Sequence, residues 1–337
     1  MTDGEAALGK NNLAKLPLKI RLLRWLLRRA ATRHPQQVAW AMSTFLSDDE
    51  LFDSFKAYDR YCLRAHYNLP IPDELDLEFA QRESELPGIS IDDDACLGFL
   101  TDVVNKYKSE FSDFPVEKSN SLGYFLANGT FMAVDGNVYY AVIREFRPRT
   151  VIEIGSGNST LLAASAIRRN ISEGGDPTRL LCVEPFPVAH LQDGSVPEVS
   201  LIKERVQNVP LSLFESLQAG DVLFIDSTHA LRAGGDVCWE FCEILPRLAP
   251  GVLVHIHDIS LPKAYPASYA KNRWYWNEQY LLQAFLAFNS KFEVIWPGNY
   301  LFCKHRAAMD TAFSPELGQM MDAFPGATPT SFWLRVR

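Results

Sequence analysis

From residue 150 onward the chain alternates two kinds of apolar pattern. Thr150–Ile154, Leu180–Glu184, Val199–Lys203, Asp221–Asp226 and Val252–Asp258 are short runs rich in Val, Ile and Leu. They are near-continuously apolar rather than alternating, as strands covered on both faces are. Between them lie segments with helical spacing: Leu161–Ile167, residues 236–248 and residues 275–287. Phe292–Trp296 and Tyr300–Cys303 read as a closing pair of strands. Strand–helix alternation of this kind predicts an α/β fold built on a doubly wound, mostly parallel sheet. Just upstream, Phe125, Phe131, Tyr139, Tyr140 and Ile143 suggest a helix packed on the sheet and an aromatic wall near the ligand.

Residues 1–120 carry a different pattern, and we read them as a mainly helical extension or cap ahead of a catalytic domain at 121–337. Residues 1–12 lack any apolar period, which predicts disorder. Residues 13–31 form a basic amphipathic segment: Leu16, Ile20, Leu23 and Leu27 follow helical spacing, Leu22, Trp25 and Leu26 widen the face, and Pro17 fits the first turn. Cations interrupt it too often for a membrane span, and it has neither the apolar stretch nor the cleavage site of a signal peptide. Three roles stay open for it: packing on the protein or a second subunit of a homo-oligomer, lying on an anionic membrane surface, or docking a partner. Packing is the ordinary fate of such a face. Ser47 to Glu50 reads as a capped helix start, Pro70 and Pro72 forbid regular helix around them, and Leu97–Tyr107 is a further apolar helix. His66 and Tyr67 precede that proline turn, where a structural role outweighs substrate contact.

The stretch Thr150–Thr160 changes the picture from fold to chemistry. Gly155 and Gly157 follow the first strand at once, and Asn158-Ser159-Thr160 open a helix. A glycine turn between a strand and a helix N-terminus brings bare backbone and free N–H groups to a ligand. Thr160 stands where a dinucleotide fingerprint needs its third glycine, which disfavours a nicotinamide-dependent oxidoreductase. Glu153 lies two residues before the first glycine, where a pyrophosphate would be repelled.

Glu153-Ile-Gly155-Ser-Gly157 resembles the first motif of the class I S-adenosylmethionine-dependent methyltransferases. The resemblance covers about residues 121–305 and implies a seven-stranded sheet with an antiparallel last strand. It implies that Gly155, Ser156 and Gly157 lie against the methionine part of the cofactor and that Glu153 helps hold its cationic end. Glu184, 27 residues after Gly157, falls where an acid accepts from the ribose hydroxyls. Arg205, Val206 and Gln207 fall near the adenine.

The fourth and fifth strands end in Asp226-Ser-Thr-His229 and His255-Ile-His257-Asp258. As neighbours, which the family implies, they bring Asp226, His229, His257 and Asp258 beside the sulfonium. Two roles compete. Asp226, His229 and Asp258 suit Mg2+ or Mn2+, as in metal-assisted O-methyltransferases, although His257 replaces the acid or amide common in that group. Alternatively a neutral His229 or His257 acts as general base, with Asp226 orienting it or the cofactor. His255 lies deeper on the strand, as a core histidine. Trp274, Trp276 and Tyr280 read equally well as core or as an aromatic substrate wall, with Asn277 and Glu278 as polar contacts. Cys238 and Cys242, one helical turn apart, read as packing.

Charge narrows the substrate. Residues 1–34 hold eight Lys or Arg against two acids, hence +6, while the whole chain carries −8, leaving −14 for the remainder. An acidic body disfavours a nucleic-acid substrate and leaves a small molecule. Six cysteines without a CxxC pair fit reduced thiols in a cytoplasmic protein. The sequence therefore points to S-adenosylmethionine-dependent methylation of a small molecule, most readily at a hydroxyl. The rivals are N-methylation and a non-catalytic cofactor-binding scaffold recruited through its N-terminal helix.

Overall fold

The structure, a computed structural model, describes residues 17–46, 68–119 and 122–337. The expected disorder of residues 1–12, the helix start at Ser47, and His66 and Tyr67 lie outside them. The chain separates into two compact units, Met1–Ile71 and Pro72–Arg337. In the first, α1 (Leu18–Arg33) ends at His34, and α2 (Pro35–Leu46) begins with a proline in its first turn.

The second unit contains residues 72–120, which their sequence pattern groups with the cap. They belong to the main body: α3 (Asp93–Phe99), capped by the Asp92 carboxylate, buries Cys96 and Phe99, and Phe99 meets Trp296 across the core. The main body continues with α4 (Asp135–Phe146), β1 (Thr150–Ile154), α5 (Asn158–Ser172), β2 (Arg179–Val183), β3 (Val199–Ile202), β4 (Val222–Ile225), α6 (Asp236–Trp239), β5 (Leu253–Ile256), α7 (Glu278–Leu286), β6 (Phe292–Pro297), α8 (Gly298–Lys304) and β7 (Phe332–Val336). After α6 the chain passes through a π turn at Glu240–Ile244.

The sheet order is β3-β2-β1-β4-β5-β7-β6. β7 runs antiparallel to both of its neighbours, and the other pairings are parallel. Strand residues alternate between two cores. Val151, Leu180, Val222 and Phe224 face α4 and α5. Ile152, Leu181, Leu223 and Val254 face the opposite layer, with Phe241 and Leu282. Both faces are covered, which is why the strands read as unbroken apolar runs.

One element departs from its sequence pattern. Tyr300–Cys303 lies in α8, not in a strand, and the antiparallel strand is Phe332–Val336. Leu301 and Phe302 are consecutive and both buried, which fits a helix wedged into the core and not a pleated strand. The sheet therefore closes beyond residue 305, where the resemblance stops.

Candidate functional site

Strand register builds the site. Ile154 pairs with Val183 on one side and Ile225 on the other, and Ile225 pairs with Ile256. The next residue of each strand, namely Gly155, Glu184, Asp226 and His257, therefore stands at one level on the carboxyl edge of the sheet. Ladder hydrogen bonds carry on to that level: Gly155 N to Val183 O, Asp226 N to Ile154 O and His257 N to Ile225 O, at 3.1, 2.8 and 2.9 Å. This edge, beside the β1–β4 junction where the chain reverses its winding, is where open α/β sheets bind ligands.

The glycine corner is tight in one place and open in another. Gly155 has φ +86°, and a Cβ there would stand 2.0 Å from the Asp226 carbonyl oxygen. Around Gly157 nothing lies within 4 Å of the Cβ position. The Ser156 hydroxyl is buried without a partner. Glu184, half-buried, accepts from Phe186 N at 2.7 Å through one oxygen. Bare backbone, an orphan hydroxyl and a rim carboxylate fit the methionine and ribose parts of S-adenosylmethionine.

Glu153 sits behind the corner rather than in it. It follows Val151 on the face covered by α5 and is fully buried. Tyr139 and Thr160 donate to its two oxygens at 2.9 and 2.5 Å, and Gly157 N donates to Thr160 Oγ1 at 3.0 Å. Burial pushes its carboxyl up to about 7 against the pull of the Thr160 and Tyr139 hydroxyls. The acid thus braces the turn from beneath. Arg205 is exposed, Val206 packs in the core, and Gln207 ties to the Gly234 carbonyl at 2.9 Å.

Asp226, His229 and Asp258 come together as a candidate cation site, with one ligand atom of each within 4.8 Å of the others. His229 Nε2 lies 3.3 Å from Asp226 Oδ1 and 3.3 Å from Asp258 Oδ2. Its Nδ1 lies 2.9 Å from Glu278 Oε2. A neutral ring that donates Nδ1–H to Glu278 aims its Nε2 lone pair at two carboxylate oxygens. Three acceptors facing one another need a cation between them, a proton or a metal ion. His229 and Asp258 hold φ at +58° and +55°, a costly conformation for residues with side chains.

His257 is the second buried imidazole. Its Nδ1 lies 3.3 Å from Asp226 Oδ1, and its Nε2 lies 3.7 Å from Asp135 Oδ2 and 3.4 Å from Thr330 Oγ1. For both histidines burial opposes charge, but the surrounding carboxylates outweigh it. Contacts with Asp226 and Glu278 hold His229 well above the ordinary histidine range, and the charges of Asp258 and Asp226 do so for His257. Asp226 moves the opposite way: burial works against its charge, yet His257 and His229 hold it well below the usual carboxylate range. His255 lies beneath them, fully buried, bonded to Ser331 Oγ at 2.7 Å and stacked on Phe224 at 4.1 Å.

Aromatic rings pack beside His229. The Trp276 ring centre lies 4.3 Å from that of His229, and Trp274 stacks on Trp276 at 5.7 Å. Tyr269 packs edge-on against Trp276 at 4.8 Å, and Tyr280 stays partly exposed. Asn277 plays a different part. Its Oδ1 accepts from Leu231 N at 2.6 Å, and the backbone N–H groups of Asn277 and Glu278 donate to His229 O. This clamp fixes the loop that presents His229.

Sequence reasoning missed Asp135 and Thr330. Asp135 opens α4, and its carboxylate accepts from the backbone N–H groups of Thr330 and Ser331 at 2.9 Å each. The turn-rich stretch Pro325–Ser331 before an aromatic run was the available signal. Phe131 packs edge-on against His257 at 5.1 Å, while Tyr139 and Tyr140 serve the core. Cys238 is half-buried and Cys242 exposed. Cys96, Cys182, Cys238, Cys242 and Cys303 are all free thiols.

Residues 152–259, from β1 to just past β5, match a family model described as a methyltransferase domain. This chain belongs to the class I S-adenosylmethionine-dependent methyltransferases. S-Adenosylmethionine is that family's cofactor and hence this methyltransferase's. The methyltransferase is also 30% identical over 164 residues to an uncharacterized protein of Archaeoglobus fulgidus, an overlap covering 45% of this chain and 72% of that protein. Among solved structures it matches a Plasmodium falciparum protein assigned as a protein-L-isoaspartate O-methyltransferase, in complex with S-adenosyl-L-homocysteine. That match has 15% identity and a TM-score of 0.27, over 50% of this chain and 77% of the other.

Proposed function

We propose that this methyltransferase acts on a hydroxyl of a small molecule and that Asp226, His229 and Asp258 hold a divalent ion, Mg2+ or Mn2+, beside the cofactor. The observation that carries the reading is the His229 ring, whose Nε2 faces two carboxylates while its Nδ1 is held by the buried Glu278. A histidine fixed by a second carboxylate is the usual arrangement behind a metal ligand. A mixed oxygen and imidazole donor set suits both ions, Mn2+ more readily.

The chain's own residues supply position. The 155–157 turn and Glu184 seat the cofactor with its sulfonium towards Asp226, at the same level of the sheet. Trp274, Trp276 and Tyr269 receive the apolar part of the substrate and keep water from the reacting centre. A bound ion lowers the pKa of a substrate hydroxyl and fixes its orientation. Methyl transfer from sulfur is an in-line displacement, so holding the oxygen close to the methyl accounts for much of the rate.

The test is transfer of an isotopically labelled methyl group from S-adenosylmethionine to compounds in a metabolite extract, with and without a chelator. Labelled methyl ethers are expected, with formation that stops on chelation and returns with Mn2+. Label on nitrogen, or labelling indifferent to the chelator, would overturn the proposal.

A further inference from the structure

The N-terminal unit carries a surface that the methyl-transfer chemistry does not use. In α1, Leu18, Leu22, Leu23, Trp25, Leu26 and Leu27 are each between 50% and 79% exposed. Six large apolar side chains on one 16-residue helix exceed the scattered exposure normal for a soluble surface. Leu23, Leu26 and Leu27 share one face with Ala30. By helical spacing Lys19 lies on that face, Arg33 at its edge and Arg29 just beyond, while Arg21 and Arg28 lie on the opposite side of the helix. The Arg29 guanidinium lies over the Trp25 ring, 5.0 Å from its centre. α2, which follows, has no charged residue.

Charge identifies what this face meets. From residue 6 to residue 47 the sequence has no Asp or Glu, against eight Lys and Arg. A second copy of the chain is a poor occupant. A two-fold contact through this face would set Lys19, Arg29 and Arg33 against their own copies, with no acid in the segment to pair them. Crossing a bilayer is excluded by the charges and by length, since 16 residues reach roughly 24 Å. No helix among the described residues is long and apolar enough to span. Apolar residues bordered by cations long enough to reach phosphates are the makeup of a helix lying in the headgroup layer.

We infer that α1 is a surface anchor that binds an anionic lipid bilayer, with Leu23, Leu26 and Leu27 inserted and Lys19, Arg29 and Arg33 reaching the headgroups. Anionic lipid also answers the charge asymmetry of the chain: the +6 segment is drawn to the surface, while the −14 remainder is repelled from it. The anchor would act on where the enzyme works rather than on its chemistry.

Vesicle flotation of the full-length protein tests this. Vesicles of phosphatidylcholine with phosphatidylserine are compared with phosphatidylcholine alone. Co-flotation is expected with the anionic vesicles only, with release by high salt. Arg29→Glu with Arg33→Glu, and separately Leu23→Ser with Leu27→Ser, should each lower the bound fraction at least about tenfold. Unchanged S-adenosylhomocysteine affinity in both variants would show that the catalytic unit remains folded. Absence of flotation with either vesicle type overturns the inference. So does a wild-type dimer that the Leu→Ser pair converts to monomer without any vesicle binding, because the face then belongs to a second copy.

Discussion

Gly155 and Gly157 are two residues apart in one motif, yet they answer to different constraints. At Gly155 a side chain would strike the backbone of the neighbouring strand and would need an unfavourable φ. Gly155→Ala should therefore lower the melting temperature as well as abolish cofactor binding. Gly157 faces open space, so Gly157→Val should leave thermal stability nearly unchanged and weaken S-adenosylhomocysteine binding, read by calorimetry. Equal loss of stability in the two variants would contradict this division. Glu153 gives a pH signature of its own. Its folded pKa of about 7 lies above the ordinary 4.5 for Glu. The protein therefore binds this proton more tightly when folded, and the stability the group confers is lost as pH rises from 4.5 through 7. Glu153→Gln removes the charge and keeps one of the two oxygen acceptors that Tyr139 and Thr160 use. It should raise the melting temperature relative to the parent more at about pH 8 than at about pH 5. Glu278→Gln tests the support of His229: it should weaken Mn2+ binding by roughly 10–100-fold while leaving S-adenosylhomocysteine affinity in place. The residues at the carboxyl edge of the sheet were legible because they follow strands at fixed spacings. The residues behind them were not. Asp135 and Thr330 reach the site through tertiary contacts to which no local pattern points. Glu278 stood out only as a polar contact.

At the scale of elements, β7 is the piece the sequence hid. It inserts between β5 and β6, supplies the fully buried Trp333, and is fastened by Asp135 to the start of α4. Trp333→Ala should cost about 3–5 kcal/mol of stability. Asp135→Ala should cost about 1–3 kcal/mol by leaving two backbone donors unpaired. Both are measurable by urea unfolding, and a change below about 0.5 kcal/mol would contradict the role assigned to this strand. The five parallel strands were legible because each is a buried run closed by a turn. Tyr300–Cys303 misled because a short apolar run has no period long enough to separate strand from helix. The true last strand, Phe332–Val336, lies beyond three short helical segments that break the regular alternation.

For the whole molecule, the sheet delivers chain segments distant in sequence to one edge, as the motif order implied. The division of labour along the chain is less visible. Residues 72–120 belong with the catalytic unit, although their composition resembles a cap. Charge, by contrast, was plain from the sequence: a basic start, an acidic body, and strand ends carrying Asp226, His229 and Asp258; that Glu278 joins them at His229 is seen only in the structure. The proposed metal role of that cluster is open to direct measurement. The most direct test is a titration of metal-free protein with Mn2+ in the presence of S-adenosylhomocysteine, followed by electron paramagnetic resonance. One tightly bound Mn2+ per chain is expected in the parent, and none in Asp258→Ala, which should still bind S-adenosylhomocysteine. Absence of bound Mn2+ in the parent, or binding unaffected by Asp258→Ala, would contradict a metal-assisted site.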